Sequence, residues 1–156
     1  MNVEFVNPFL SAILNVLSTM AMTEAKAGKP FIKSSNMASG EVTGMIGLAG
    51  NQVRGSLAIN FSREAILHIA SQMLGESFTE IDDTVKDVVG EITNMVTGGA
   101  KKSLAEQGYR FEMAIPTTIT GKSHTITHKT HGPIIVVPFT IDGTGEFYVE
   151  VCFEDV

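Results

Sequence analysis

Residues 79–108 read TEIDDTVKDVVGEITNMVTGGAKKSLAEQG. Thr79-Glu80-Ile81-Asp82 fits the capping-box pattern, in which a hydroxyl and an acid three residues on satisfy free backbone N–H groups at a helix start. The segment then reads as helix to about Gln107, where Gly108 supplies the stop. At about 1.5 Å per residue this is a rod of roughly 40 Å, long enough to be the central element of a small fold.

Toward the N-terminus, Phe9, Leu10, Ile13, Leu14, Leu17 and Met20 recur at helical spacing and predict a helix from about Asn7 to Glu24. Asn7 is placed to cap it and Pro8 suits its first turn. Gly28 and Pro30 break the chain. Phe31 to Met37, Glu41 to Leu48 and Val53 to Phe61 read as strands, with Ala49-Gly50-Asn51-Gln52 as a hairpin loop. Ser62 is placed to cap a helix over Arg63 to Leu74, which Gly75 ends. Toward the C-terminus, Met113 to Gly121, Ser123 to Lys129, Pro133 to Asp142 and Glu146 to Phe153 read as strands. Asp142-Gly143-Thr144-Gly145 is the turn of the last hairpin. Consecutive strands with short loops imply an α+β fold: an antiparallel β-sheet covered by three helices, one of them the long central helix. A helix followed by a β-meander is repeated in the two halves. No linker or low-complexity tract divides residues 1–156, which read as a single domain.

Of the 156 residues, 44% are hydrophobic and 18% charged, a globular composition. Lys plus Arg total 11 and Asp plus Glu 17, for a net charge of −6. An acidic chain without a basic run is repelled by phosphate backbones, so no nucleic-acid partner is expected. The single cysteine, Cys152, can make neither an internal disulfide nor a cysteine-based zinc site, and a reducing cytoplasm is the default location. Ser11, Asn15, Ser18 and Thr19 interrupt the apolar stretch Phe9 to Met22, and Glu4 precedes it. Neither a signal peptide nor membrane insertion is expected.

Other constellations carry less chemistry. On a strand, His124 and His128 share a face about 13 Å apart, too far for one ion, and His131 falls in a turn, so no metal site is expected. Gly44, Gly47, Gly50 and Gly55 match no phosphate-loop pattern and suit hairpin turns and close strand packing. Neither Ser62 nor Ser103 has a His and an acid at recognisable spacing for nucleophilic catalysis.

The long helix has two faces. With Ile92 at zero and about 100° per residue, Val85, Val88, Val89, Val96 and Gly99 gather on its buried side. Asp87, Glu91, Asn94, Gly98 and Ala105 gather on the opposite side. Asp87 and Glu91 stand one i,i+4 step apart, and Glu91 and Asn94 one i,i+3 step, so their side chains meet on one surface. A polar face is the ordinary solvated side of an amphipathic helix. Two residues here need more than solvation. Asn is a poor helix former, and a mid-helix glycine costs roughly 1 kcal/mol relative to Ala. Gly99 is explained by packing inward, whereas Gly98 points outward beside Glu91 and Asn94. A bare patch beside an acid and an amide admits another protein's surface to close range.

Asp87-Val88-Val89-Gly90-Glu91-Ile92-Thr93-Asn94 resembles the Asp/Ser-x-x-x-Glu-x-x-Asn signature of the CheC/CheX/flagellar-switch phosphatases of bacterial chemotaxis, and Pro116 matches its closing proline. Asn7-Pro8-Phe9, Gly28-Lys29-Pro30, the hairpin and Asn94-Met95 also stand where that family has them. The first helix offers Asn15, but Ala12 stands where the paired acid would be, so one site remains and the chain resembles the CheX type. The resemblance implies a homodimer. It implies as substrate the aspartyl phosphate of a CheY-type response regulator, which supplies its own Mg²⁺ and Lys; no cofactor is bound by this chain.

What such a reaction still needs is a water held in line with the leaving oxygen. A carboxamide both accepts from and donates to that water, so Asn94 is the candidate for orienting it. Glu91 would pair with the regulator's active-site Lys, flanked by Asp87 and Gly98. Even a hundredfold acceleration requires only about 2.7 kcal/mol. An alternative is a non-catalytic adaptor that binds a response regulator or a chemotaxis or flagellar partner through the same face. In a third reading, a structural or ligand-sensing dimer, Glu91 and Asn94 would be buried against the protein's own core or its dimer mate.

Overall fold

The computed structural model describes residues 5–156. Three helices, α1 (Asn7–Met20), α2 (Arg63–Leu74) and α3 (Asp83–Glu106), accompany strands β1 (Lys26–Ala27), β2 (Phe31–Ile32), β3 (Val42–Gly50), β4 (Val53–Phe61), β5 (Phe111–Met113), β6 (Thr117–Thr120), β7 (Ile135–Ile141) and β8 (Gly145–Asp155). The eight strands form one antiparallel sheet in the order β1-β7-β8-β4-β3-β5, with β2 also on β7 and β6 also on β3. The expected α+β architecture is therefore present. Each half contributes a hairpin, β3–β4 and β7–β8, and the β4–β8 ladder joins them.

Alternation along β3 separates the two faces of the sheet. Val42, Ile46 and Leu48 enter the main core with Leu57, Ile59 and Phe61 of β4 and Phe147, Val149, Val151 and Phe153 of β8. The helices close this core: Phe9, Ile13 and Leu17 from α1, Ile66 and Ile69 from α2, and Val85, Val89, Ile92 and Val96 from α3. Phe139 and Phe147 stack across β7–β8 at 4.8 Å between ring centroids.

The opposite face carries buried polar groups. Glu150 of β8 accepts from Lys33 Nζ at 2.7 Å and meets His128 Nε2 at 3.1 Å. A carboxylate only accepts, so Nε2 holds the proton toward Glu150, and in the neutral ring Nδ1 accepts from Ser56 Oγ at 2.5 Å. His124 Nε2 bonds Thr43 Oγ1 at 2.6 Å, Thr130 Oγ1 reaches Cys152 Sγ at 3.0 Å, and the His131 N–H donates to Glu154 at 2.8 Å. These contacts and a small cluster around Ile126 hold residues 121–134 across the sheet as a strap.

Several element boundaries depart from the sequence reading. α1 ends at Met20 rather than Glu24: the Ala21 and Thr23 N–H groups both close on Leu17 O, and Met22 turns to positive φ. Asn7 does not cap α1. It is the first helical residue, and Val6 O accepts from the N–H groups of Phe9 and Leu10. The capping box at Thr79 does not form either. Arg63 Nη2 donates to Thr79 O at 2.6 Å and pairs with Glu80 at 3.2 Å, tying this segment to the start of α2. The helix begins three residues later, where Asp82 Oδ1 accepts from Val85 N at 2.9 Å. The strand expected over Ser123 to Lys129 is replaced by the strap, with one bridge from Thr125 to Met37. The strand expected over Met113 to Gly121 is split into β5 and β6. Between the Met45–Thr117 and Leu48–Met113 pairs the edge strand advances one residue more than β3, a bulge around Ile115 and Pro116. Ser62 caps α2 and Gly75, at φ 68°, ends it, as read.

Candidate active site on the long helix

α3 has the two faces that its periodicity predicts. Val85, Val88, Val89, Ile92 and Val96 are buried, while Asp87, Glu91 and Asn94 are exposed. One helical turn separates Glu91 from Asp87 and from Asn94, which places such side chains about 5–6 Å apart at Cβ. The side-chain bonds made on α3 belong to Asp82, Thr93, Thr97 and the Lys86–Asp83 pair. Among the described residues none reaches Asp87, Glu91 or Asn94. A carboxylate and a carboxamide thus stand side by side with their hydrogen-bonding capacity uncommitted. Gly98 extends the surface by one more turn: nothing lies within 4 Å of where its Cβ would be. The four residues chosen for the site therefore share one open face.

Gly99 is partly a correction. It remains exposed, and the group that it approaches is Ala12 of α1, 3.3 Å from its would-be Cβ, rather than the sheet. The same contact places Ala12 against α3. β6 flanks the other side, with Thr118 Oγ1 3.8 Å from the would-be Cβ of Gly90, and Pro116 stands at the bulge just before it.

Two buried polar residues were not legible in the periodicity. Thr93 and Thr97 are fully buried, and each hydroxyl donates to the carbonyl four residues back, at 2.8 and 2.7 Å. Their i,i+4 spacing beside the apolar stripe is the available signal. With their hydroxyls satisfied on their own helix both residues can be buried, and Thr93 meets the sheet at Gly44.

Residues 42–140 match the family described as Chemotaxis phosphatase CheX. The chain belongs to this family. The crystal structure of chemotaxis protein CheX from Vibrio vulnificus is 52% identical, covers 97% of this chain and 99% of its own, and superposes with a TM-score of 0.91. The CheX–CheY–BeF₃–Mg²⁺ complex from Borrelia burgdorferi is 28% identical with a TM-score of 0.83, over 98% of this chain and 99% of that one. CheY-P phosphatase CheX of Thermotoga maritima is 26% identical over 148 residues, 94% of both chains. The CheX-type resemblance carried by Glu91, Asn94 and Pro116 thus holds over the chain, and its enzyme class is that of a chemotaxis phosphatase.

The donors on α3 suit a water and a cationic side chain better than an enclosed metal: one carboxylate and one carboxamide, with Asp87 a turn away. Among the described residues, no three His, Cys, Asp or Glu side chains form a ligand set, and no helix is long and apolar enough to cross a membrane.

Proposed function

We propose that the exposed face of α3 hydrolyses the aspartyl phosphate of a CheY-type response regulator. The observation that carries this reading is the pair Glu91 and Asn94, one turn apart, exposed and unpartnered in a member of the CheX family. Their exposure removes the third reading in one form, since neither side chain is buried against the protein's own core.

Asn94 holds the attacking water. Its carboxamide oxygen accepts a hydrogen from that water and its amide donates to it, with no change of charge. The water oxygen bonds to phosphorus as the bond from phosphorus to the aspartyl oxygen breaks. The products are inorganic phosphate, which keeps the water's oxygen, and the free carboxylate of the regulator; the released proton passes to phosphate or solvent. Glu91 docks the regulator's Lys and fixes the register of the helix in its pocket, and Gly98 removes bulk beside the contact. The Borrelia complex contains Mg²⁺ with CheY and BeF₃; in this reading Mg²⁺ belongs to the regulator and offsets phosphoryl charge there. Positioning, with electrostatic stabilisation, is the main lever in phosphoryl transfer.

The test is loss of phosphate from a CheY-type regulator with Mg²⁺, alone and with this protein. The wild type is expected to accelerate it. Asn94→Ala is expected to lose at least tenfold of the acceleration while still binding the BeF₃-activated regulator, and Glu91→Ala to weaken binding. No acceleration by the wild type, with binding lost in Glu91→Ala, would establish the adaptor instead.

A further inference from the structure

We infer that Gly44, on β3 beneath the long helix, is a positioning residue for the phosphatase reaction: it sets the height and rotation at which α3 presents Glu91 and Asn94. The inference rests on the role proposed for those two side chains. A Cβ added at Gly44 would lie 2.0 Å from Thr93 Oγ1, 3.0 Å from Val89 Cγ1 and 3.2 Å from Thr93 Cβ. Contacts under 3 Å cannot persist, so a side chain at position 44 and α3 at its present height exclude each other.

Thr93 has little freedom to yield. It is fully buried, and its hydroxyl donates to Val89 O at 2.8 Å. Rotating χ1 would break that bond or drive another γ atom into the same space, and one of the three wells is already disfavoured in a helix. Thr93 Cβ, at 3.2 Å, and Val89 Cγ1, at 3.0 Å, need give only slightly, so the γ atoms of Thr93 carry the conflict. The remaining response is for α3 to lift or roll.

Helical geometry transmits that movement to the site. Glu91 lies about 160° around the helix from Thr93 and Asn94 about 100°. Lifting at Thr93 therefore pushes Glu91 outward and carries Asn94 sideways. Two other contacts limit how α3 can compensate. Thr118 of β6 stands 3.8 Å from the would-be Cβ of Gly90, and Ala12 of α1 stands 3.3 Å from that of Gly99. The helix is seated on three sides, at the sheet, the edge strand and α1. Of the three, the contact at Gly44 is the tightest and lies beneath the residues proposed to act. A displacement of about 1 Å can cost on the order of a hundredfold in rate when catalysis depends on alignment.

The experiment compares wild type, Gly44→Ala, Thr93→Ala, the Gly44→Ala/Thr93→Ala pair and Asn94→Ala. The readouts are the dephosphorylation rate at saturating regulator, the affinity for BeF₃-activated regulator and the circular dichroism. Gly44→Ala is expected to retain helix content, to lose at least tenfold in saturated rate and to shift affinity by less than about threefold. The pair, in which Thr93 no longer carries γ atoms, is expected to recover to within threefold of Thr93→Ala alone. A general loss of fold would lower the amount of active protein and would not produce this recovery with its split between rate and binding. Should Gly44→Ala not fold, the pair still decides. Recovery supports the seat, and a folded pair tenfold slower than Thr93→Ala overturns it. A folded Gly44→Ala at full rate, with Asn94→Ala impaired, overturns the seat and leaves the parent reading standing. Asn94→Ala at full rate overturns the parent reading and this inference with it.

Discussion

At Glu150 the carboxylate is enclosed, 4% exposed, with Lys33 at 8% and the His128 ring at 1%. At Glu91 the same functional group stands in solvent. Burial separates what the two can do. A charge removed from water must be paired, and once paired it holds structure; an exposed carboxylate is free to meet a cation brought by a partner. Truncating one member of the buried set leaves the other charge without compensation. Glu150→Ala is therefore expected to destabilise the fold by about 3 kcal/mol or more. Lys33→Met combined with Glu150→Gln is expected to cost less than Glu150→Ala, because no buried charge remains. Urea titration of the two variants checks this, and a double variant as unstable as Glu150→Ala would refute the pairing argument. The network lies on the face of the sheet opposite α3. The dephosphorylation rate per folded molecule is expected to be unchanged in both.

Elements are set by which residue wins the competition for a backbone group. α3 is capped at Asp82 because Thr79 and Glu80 are already engaged by Arg63 of α2. Asp82→Ala is expected to cost about 1 kcal/mol in a denaturant titration, the usual value of an N-cap, and Thr79→Ala only a few tenths. Equal losses would return the cap to Thr79. The same competition explains what the sequence made legible. The faces of α3 were legible because a period of about 3.6 residues needs no partner: Asp87, Glu91 and Asn94 fall together from arithmetic alone. The caps at Ser62 and Gly75 were legible because they are local. The split of β5 from β6 was not, since a bulge depends on register with β3. Ser123 to Lys129 has strand composition, yet its histidines bond Thr43, Ser56 and Glu150, groups supplied by distant strands. Gly44 and Thr93 are unremarkable apart; their meaning arises only when the sheet brings one beneath the other.

For the molecule as a whole, the sheet divides two kinds of covering. On one face three helices bury a continuous apolar core, and α3 contributes Val85, Val89, Ile92 and Val96 to it. On the other, residues 121–134 lie across the strands through side-chain hydrogen bonds, a single bridge, backbone bonds from Gly121 N–H to Glu41 O and from Lys33 N–H to Ile134 O at their two ends, and the small cluster around Ile126. Local opening follows buried apolar contact, so the strap is expected to open well before α3 unwinds. Lys122 and Lys129 are exposed within it, whereas Lys101 and Lys102 sit on the long helix, which a protease can enter only after several turns unfold. Limited trypsin digestion is therefore expected to cut first after Lys122 or Lys129, with mass spectrometry locating the cuts. The α3 amides are expected to remain protected from hydrogen exchange over the same period. Because the candidate site lies across the sheet from the strap, singly nicked protein is expected to keep accelerating dephosphorylation at close to the intact rate. Early cleavage at Lys101 or Lys102 would show that α3 is not the rigid platform its packing implies. A large loss of rate on nicking the strap would show that the two faces of the sheet are coupled.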